Sequence, residues 1–271
     1  MKTPITAAAL RFAPLVLLLA MPPSTQAQSA EEILMTALDR YEDRMAGIQS
    51  YTVVQETMGF ETSITFVRAD VDGRVVFLPE GEDAAGAGAM ADFYRAYPKI
   101  AERAEVQGRQ SIQDEECWIV GIDDLSGLDL GNEVAMGEKG RFIPRTGKLY
   151  VDTDDYLVRR MDMEGEITSE GETTPMSTQI VLSDYRDVKG MLHPFAMHIT
   201  ASGISSGMSQ EDMEEARRSL AEMEKSLEGM SESQRQMVMR MMGPQMEQLK
   251  KMLETGQFQL TVTTKDVQVT E

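Results

Sequence analysis

STQIVLSDYRDVKGMLHPFAMHITAS, residues Ser177–Ser202, is the stretch on which the fold turns. It reads as two strands around a tight turn. The first is Gln179–Asp187, and the turn falls at Val188-Lys189-Gly190, where glycine takes positive φ without steric cost. The returning strand, Met191–Ser202, alternates. Met191, His193, Phe195, Met197, Ile199 and Ala201 share one face, and Leu192, Pro194, Ala196, His198, Thr200 and Ser202 share the other. Pro194 cannot donate a ladder hydrogen bond, which predicts a bulge or an edge there. The second face is half apolar, so the hairpin calls for a cover. A Met-rich helical segment follows immediately and is the candidate.

That segment, Gly207–Gly256, reads as a helical hairpin. Ser209 can cap a helix in which Met213, Ala216, Leu220, Met223, Leu227 and Met230 recur at helical spacing. Ser231 with Gln234 forms a second capping box. The next helix carries Met237, Val238, Met241, Met242, Met246, Leu249, Met252 and Leu253, with a kink predicted at Gly243-Pro244. Ten of the chain's 22 methionines lie between Met208 and Met252, where ordinary helices would use leucine. Methionine is unbranched and polarisable and suits surfaces that meet variable apolar partners. A last strand, Gln257–Val269, closes the chain with an irregularity predicted near Lys265-Asp266.

Upstream, Ser29 and Glu32 make a capping box before Leu34, Leu38, Tyr41, Met45 and Ile48, predicting an amphipathic helix over Ala30–Ala46 ended by Gly47. Strand-like runs follow at Tyr51–Met58, Phe60–Arg68 and Val75–Leu78. Pro79–Ala89 reads as a loop, and Met90–Ala104 as a helix broken near Pro98. Val106–Ile112 and Glu116–Asp123 form a strand pair. Leu125–Pro144 reads as a long irregular connection, because it holds five glycines and prolines. Lys148–Asp152 and Leu157–Glu164 flank a turn, and Gly165–Thr174 is a polar turn. About ten strands at hairpin spacing imply an antiparallel sheet without βαβ units.

Residues 1–27 read as a secretory signal: Lys2 and Arg11, the apolar run Phe12–Met21, and Thr25-Gln26-Ala27 before Gln28. The sole cysteine, Cys117, excludes an intramolecular disulfide and an acylated cleavage site, so the exported chain is expected to be soluble and not itself lipidated. Cys117 reads as a buried small hydrophobe. The net charge of -19 argues against nucleic-acid partners and stable adsorption to anionic membranes.

No catalytic set emerges. Gly203-Ile204-Ser205-Ser206-Gly207 matches the nucleophile elbow, but both histidines precede Ser205 and the parallel βα pattern is missing, so it reads as a flexible strand exit. His193 and His198 stand on opposite faces of one strand and cannot share a metal, so His193 reads as a hydrogen-bonded, partly buried residue. Thioethers favour Cu(I), and copper-binding methionines usually stand together in polar, accessible segments. Methionines in the apolar stripe of a helix read instead as core or lid.

Two runs of residues resemble a known family. They are Gly147–Met161, with Asp152-Thr153-Asp154-Asp155-Tyr156-Leu157 at its turn, and Ser183-Asp184-Tyr185-Arg186-Asp187-Val188-Lys189-Gly190 followed by His193-Pro194-Phe195. They look like the paired hairpins of the outer-membrane lipoprotein-sorting and carrier (LolA/LolB-like) superfamily. The resemblance implies an α+β fold: a strongly curved antiparallel sheet, or unclosed β-barrel, with helices covering its concave face and acyl chains bound between them. The Arg-Pro strand pattern of the dedicated lipoprotein carrier is not visible near Phe66–Arg74, so the cargo is left as lipid or lipoprotein.

Together these readings predict one domain over residues 28–271, with the Met-rich insertion at 207–256. Its expected role is a periplasmic carrier that shields acyl chains under a helical lid, with envelope membrane proteins as donor or acceptor. The ligand-binding residues expected on the sheet are Leu149, Val151, Met161, Met163, Ile180, Leu182, Phe195, Met197 and Ile199. Those expected on the lid are Met213, Leu220, Met223, Met237, Met241 and Met242. No enzyme activity, cofactor or metal is expected. The alternative is an exported interaction module that docks or dimerises through the helical hairpin.

Overall fold

The computed structural model describes residues 28–71, 73–80, 96–128, 140–169, 172–203 and 210–271. Residues 1–27, read above as a signal, most of the predicted Pro79–Ala89 loop, the first part of the predicted Met90–Ala104 helix, residues 129–139 of the predicted connection, and Ser205 all lie outside the described residues.

Helix α1 spans Ala30–Met45. Its capping box forms as the sequence requires: the Glu32 amide donates to Ser29 Oγ at 3.1 Å, and the Ser29 amide donates to the Glu32 carboxylate at 3.0 Å. At the far end, Arg68 Nη1 donates to the carbonyls of Met45, Ala46 and Ile48 at 3.0 to 3.2 Å. A cation there meets carbonyls that have no partner within the helix and complements the negative end of its dipole.

Ten strands follow: β1 (Ser50–Thr57), β2 (Phe60–Val71), β3 (Arg74–Pro79), β4 (Ala104–Ile112), β5 (Glu115–Ile122), β6 (Gly140–Asp152), β7 (Val158–Ser169), β8 (Glu172–Val188), β9 (Met191–Ser202) and β10 (Gln257–Thr270). A helical segment at 96–101, here α2, precedes β4, and α3 (Gln210–Glu228) and α4 (Glu232–Thr255) separate β9 from β10. All pairings are antiparallel, in the order β3-β2-β1-β10-β9-β8-β7-β6-β5-β4. The end strands β3 and β4 do not pair with each other, so the sheet is not closed into a barrel.

Three strands run well beyond their sequence-based bounds. β6 begins at Gly140, inside the predicted irregular connection, and its register shifts between Pro144 and Thr146, which lets the proline sit beside a ladder that cannot use its nitrogen. β7 and β8 run through the predicted polar turn, with Ser169 opposite Glu172. Threonines carry them there: Thr168 and Thr173 pair across the strands, hydroxyl to hydroxyl, at 3.4 Å. The irregularity predicted in the last strand is present, because Val54 faces Asp266 and Gln55 faces Thr264, leaving Lys265 unopposed. Pro194 lies opposite Tyr185, beyond the point where the β9–β10 ladder ends at Ala196 and Thr263.

The core shows that the sheet bends. Ile33, Leu34, Ala37 and Leu38 of α1 join Tyr97 and Ile100 of α2 in a cluster with Trp118, Val120, Leu149, Val151, Met161 and Leu182. Met45 joins a second cluster with Phe77, Met191, Phe195, Val267 and Val269, and Tyr41 packs against both. One helix thus serves strands from β3 to β5. In a flat sheet those strands would stand about 38 Å apart, eight steps of about 4.8 Å. A helix of 16 residues is about 24 Å long, so the sheet must wrap around it.

The Met-rich hairpin does not provide this cover. α3 and α4 pack against each other, with Leu220, Met223 and Leu227 against Val238, Met246, Leu249 and Leu253. No sheet residue belongs to that cluster. α4 lies along β10 before β1 reaches it: Gln248 Nε2 donates to the Gln259 carbonyl, Lys251 Nζ donates to Gln259 Oε1 at 2.6 Å, and Gln245 Nε2 donates to the Met58 carbonyl at 3.4 Å. The physical reason is local. Two amphipathic helices joined by a tight turn bury their stripes in each other before either can reach the sheet.

Candidate functional site

Asp152, which opens the turn of the first resemblance motif, is the joint that holds the cover on the sheet. Its carboxylate is almost wholly buried, with 3% of the side chain exposed. It accepts from the amides of Asp154 and Asp155 at 2.8 and 3.0 Å and from Arg159 Nε and Nη2 at 3.0 and 2.7 Å. Burial alone would raise its pKa, but the two backbone bonds and the guanidinium outweigh that and hold it below the ordinary carboxylate value. The turn so shaped presents the carbonyls of Asp154 and Asp155 to Arg40 and Arg44 of α1, at 2.5 and 2.9 Å. Arg40 also lies 4.4 Å from the Tyr156 ring centre. In the second motif, the Tyr185 hydroxyl donates to the Val158 carbonyl at 2.6 Å, and Lys189 Nζ ties the β8–β9 turn to the Val269 carbonyl at 3.0 Å. The turns of both motifs therefore build the frame, and the inner apolar surface lies on the strands that they join.

That surface is set by register. Leu149 faces Met161, Met161 faces Ile180, Ile180 faces Ile199, and Ile199 faces Leu260. These five side chains form one row across β6, β7, β8, β9 and β10, with neighbours about 5 Å apart. Leu182, Met197 and Val262 make an adjoining row on one side. Met163, Thr178, Ala201 and Phe258 make one on the other. Burial falls along the central row. Leu149 and Met161 are 2% and 3% exposed beneath α1 and α2, whereas Ile180, Ile199 and Leu260 are only half-buried. Beyond it, Phe142, Met176 and Ala201 form a cluster with Met163, Ile167 and Phe258 to which no described helix contributes. The inner face is closed at its β5–β7 end and incompletely covered at its β8–β10 end.

Of the sheet residues expected to bind ligand, Leu149, Met161, Ile180 and Ile199 share the central row, Leu182 and Met197 its neighbour, and Met163 the row opposite. Val151 is fully buried in the α1 cluster, and Phe195 packs in the second cluster with Met45. The hairpin residues do not join them. Leu220 and Met223 point into the α3–α4 seam, and Met213 is half-buried on α3. Met237 and Met242 are 67% and 39% exposed. The side chain of Met241 lies outside the described residues. Sequence reasoning missed Phe258, Leu260 and Val262, although their alternation in the last strand carried the signal. It also missed Met176, which the assumed polar turn obscured.

His193 lies on the inner face beside this surface, its Nε2 3.4 Å from Thr264 Oγ1 and its ring edge-on to Phe195. Burial lowers its pKa to about 4, so the imidazole is neutral near pH 7. His198 points the other way and pairs with Thr261 Oγ1 at 3.1 Å. Cys117 is buried on the outer face with Ile112 and Tyr150, and burial pushes its thiol up to about 11. Among the described residues no three His, Cys, Asp or Glu side chains stand together as a metal site, and no helix is long and apolar enough to cross a membrane.

No family model and no curated protein matches the chain. Among solved structures, it is similar to a DUF1329 family protein from Desulfovibrio piger, at 10% identity over 89% of this chain and 91% of that one, with a TM-score of 0.38. It is similar to a putative outer membrane lipoprotein-sorting protein domain from Vibrio parahaemolyticus, at 7% identity over 87% and 93%, with a TM-score of 0.35. A LolA superfamily protein from Nitrosomonas europaea matches at 9% identity over 90% and 95%, with a TM-score of 0.34.

Proposed function

We propose that the chain is an exported carrier that holds the acyl chains of a lipid or lipoprotein on the inner face of its open sheet. The observation that carries this reading is the exposure gradient along Leu149–Met161–Ile180–Ile199–Leu260. A structural core would be sealed along its whole row. Here aliphatic side chains on three adjacent strands remain half-exposed on the concave side, where an acyl chain can lie against them. Each methylene removed from water contributes about 0.8 kcal/mol, so a chain of ordinary length is held without covalent chemistry. In this reading the ligand enters at the β8–β10 end, and the α3–α4 hairpin, which leaves β9 and returns into β10, flanks the mouth. Donor and acceptor are envelope membranes or their proteins.

Native mass spectrometry of gently purified protein, with titration of a fluorescent fatty acyl probe, tests the proposal. A co-purifying lipid, and probe binding weakened by Ile199→Asp, is the expected result. The absence of both a lipid and probe binding would end it. A second reading, a docking module, is favoured by the separate core of the hairpin. Deleting 207–256 separates the two: a docking module loses its partner and retains probe binding, whereas a carrier whose mouth the hairpin frames loses the probe.

A further inference from the structure

Three of the large hydrophobic side chains most exposed on the described surface are methionines within six residues of α4: Met237, Met239 and Met242. Two of these, with Met246, follow the helical repeat. Met239, Met242 and Met246 are spaced three and then four residues apart, which puts them on one stripe of the helix. Met239 and Met242 are 45% and 39% exposed, and Met246 is buried at the seam with α3, where Met223 packs into the same cluster. Gly243 lies inside the stripe. A Cβ added there would meet the Met239 methyl at 3.4 Å, so that thioether folds over the turn from which a side chain is missing. Arg240 lies between them in sequence, but at about 100° per residue it points away from the stripe. The surrounding residues Gln236, Arg240 and Gln245 are polar.

Apolar burial does not explain this arrangement, because two of the three side chains are not buried, and leucine would have packed the seam as well. What methionine has and leucine lacks is a soft sulfur donor. We propose that Met239, Met242 and Met246 form a thioether site for a soft monovalent metal ion, Cu(I) or Ag(I), at the exposed edge of the α3–α4 seam. Three neutral thioethers suit such an ion and reject hard cations, which prefer oxygen. Met242 stands about 5 to 6 Å in Cβ position from each of the other two, and Met239 and Met246 are about 10.5 Å apart along the axis, a span that only long, unbranched side chains converging from both sides close around one ion. The net charge of -19 favours a cation at the surface. Thioethers do not titrate, so protons do not compete for the site as they do at histidine or cysteine sites.

The test is a titration of the full chain with Ag(I), a redox-inert probe, followed by NMR of methionine methyl groups labelled with carbon-13. One equivalent is expected to move the Met239, Met242 and Met246 methyl signals, and equally at pH 5 and pH 7. The Met239→Leu/Met242→Leu variant, which keeps helix propensity and apolar volume, is expected to bind Ag(I) at least about tenfold more weakly. No shift, shifts centred on other methionines, or undiminished binding by the leucine variant would overturn the site. Should the variant fail to fold, the methyl map of the parent chain decides by itself. Acyl-probe binding is read separately, so either proposal can fail without the other.

Discussion

Two amphipathic helical regions of this chain met different fates. α1 carries Ile33, Leu34 and Leu38, all fully or nearly buried between the ends of the bent sheet. The α3–α4 hairpin carries mainly methionine, makes a small core of its own, and leaves Met237 mostly in solvent. Branched aliphatic side chains with few rotamers fill a space of fixed shape, while methionine occupies a surface whose partner is incomplete or variable. The difference also lies in anchoring. α1 is tied to the sheet by Arg40 and Arg44 on one turn and by Arg68 at its end, whereas α4 is held by amide and amine contacts to Gln259 of β10 and to the Met58 carbonyl between β1 and β2.

The contrast can be broken hardest at the anchor. Asp152→Ala leaves Arg159 buried without its carboxylate and is expected to destabilise the fold by about 4 kcal/mol, measured by urea denaturation. A value near zero would mean that the turn does not hold the cover. Leu34→Ala is expected to cost about 3 kcal/mol because the space beneath α1 cannot collapse, and Leu227→Ala in the hairpin clearly less. Equal losses would erase the distinction between the two cores.

Acid sharpens the picture on the inner face. His193 has a folded pKa of about 4 against an ordinary value of 6.5, so the unfolded chain binds the extra proton between those values. Stability should fall as pH drops from 6.5 to about 4, by on the order of 3 kcal/mol in total, and His193→Gln should flatten that limb. Asp152 adds a separate loss at lower pH. Its folded pKa is depressed, so its contribution is present above the ordinary carboxylate value and disappears as pH falls through the depressed one. The smallest effect separates the helix starts. Ser29→Ala should cost about 1 kcal/mol in global unfolding. Ser231→Ala at the start of α4 should show only as faster amide exchange within the hairpin.

Much of the fold was legible because it depends on short-range periodicity. The alternation from Met191 to Ala201 identified a single face of β9, and the structure places Met191, Phe195, Met197 and Ala201 in clusters on that inner side. The irregularity at Lys265 and the capping box at Ser29 were equally local. Leu220 and Met223 of the expected lid pack against a neighbouring helix and not the sheet, for the opposite reason. The stripe of Leu220 and Met223 states that a face must be buried, but not whether the sheet or a neighbouring helix will bury it. Phe258 and Leu260 were visible as an alternation, yet their place in the row depends on pairing with Ala201 and Ile199 about 60 residues away in sequence.

By itself, the sequence determined the ten strands, their antiparallel hairpins, the face of β9 and the limits of α1, because each follows from dihedral preference and a period of two or 3.6 residues. The open sheet was expected from the family resemblance, and only the tertiary structure decided which helix lies inside it and where its apolar row emerges from cover. Those outcomes rest on contacts such as Arg40 to the Asp154 carbonyl, 114 residues apart, whose strength depends on burial and geometry that no local pattern encodes.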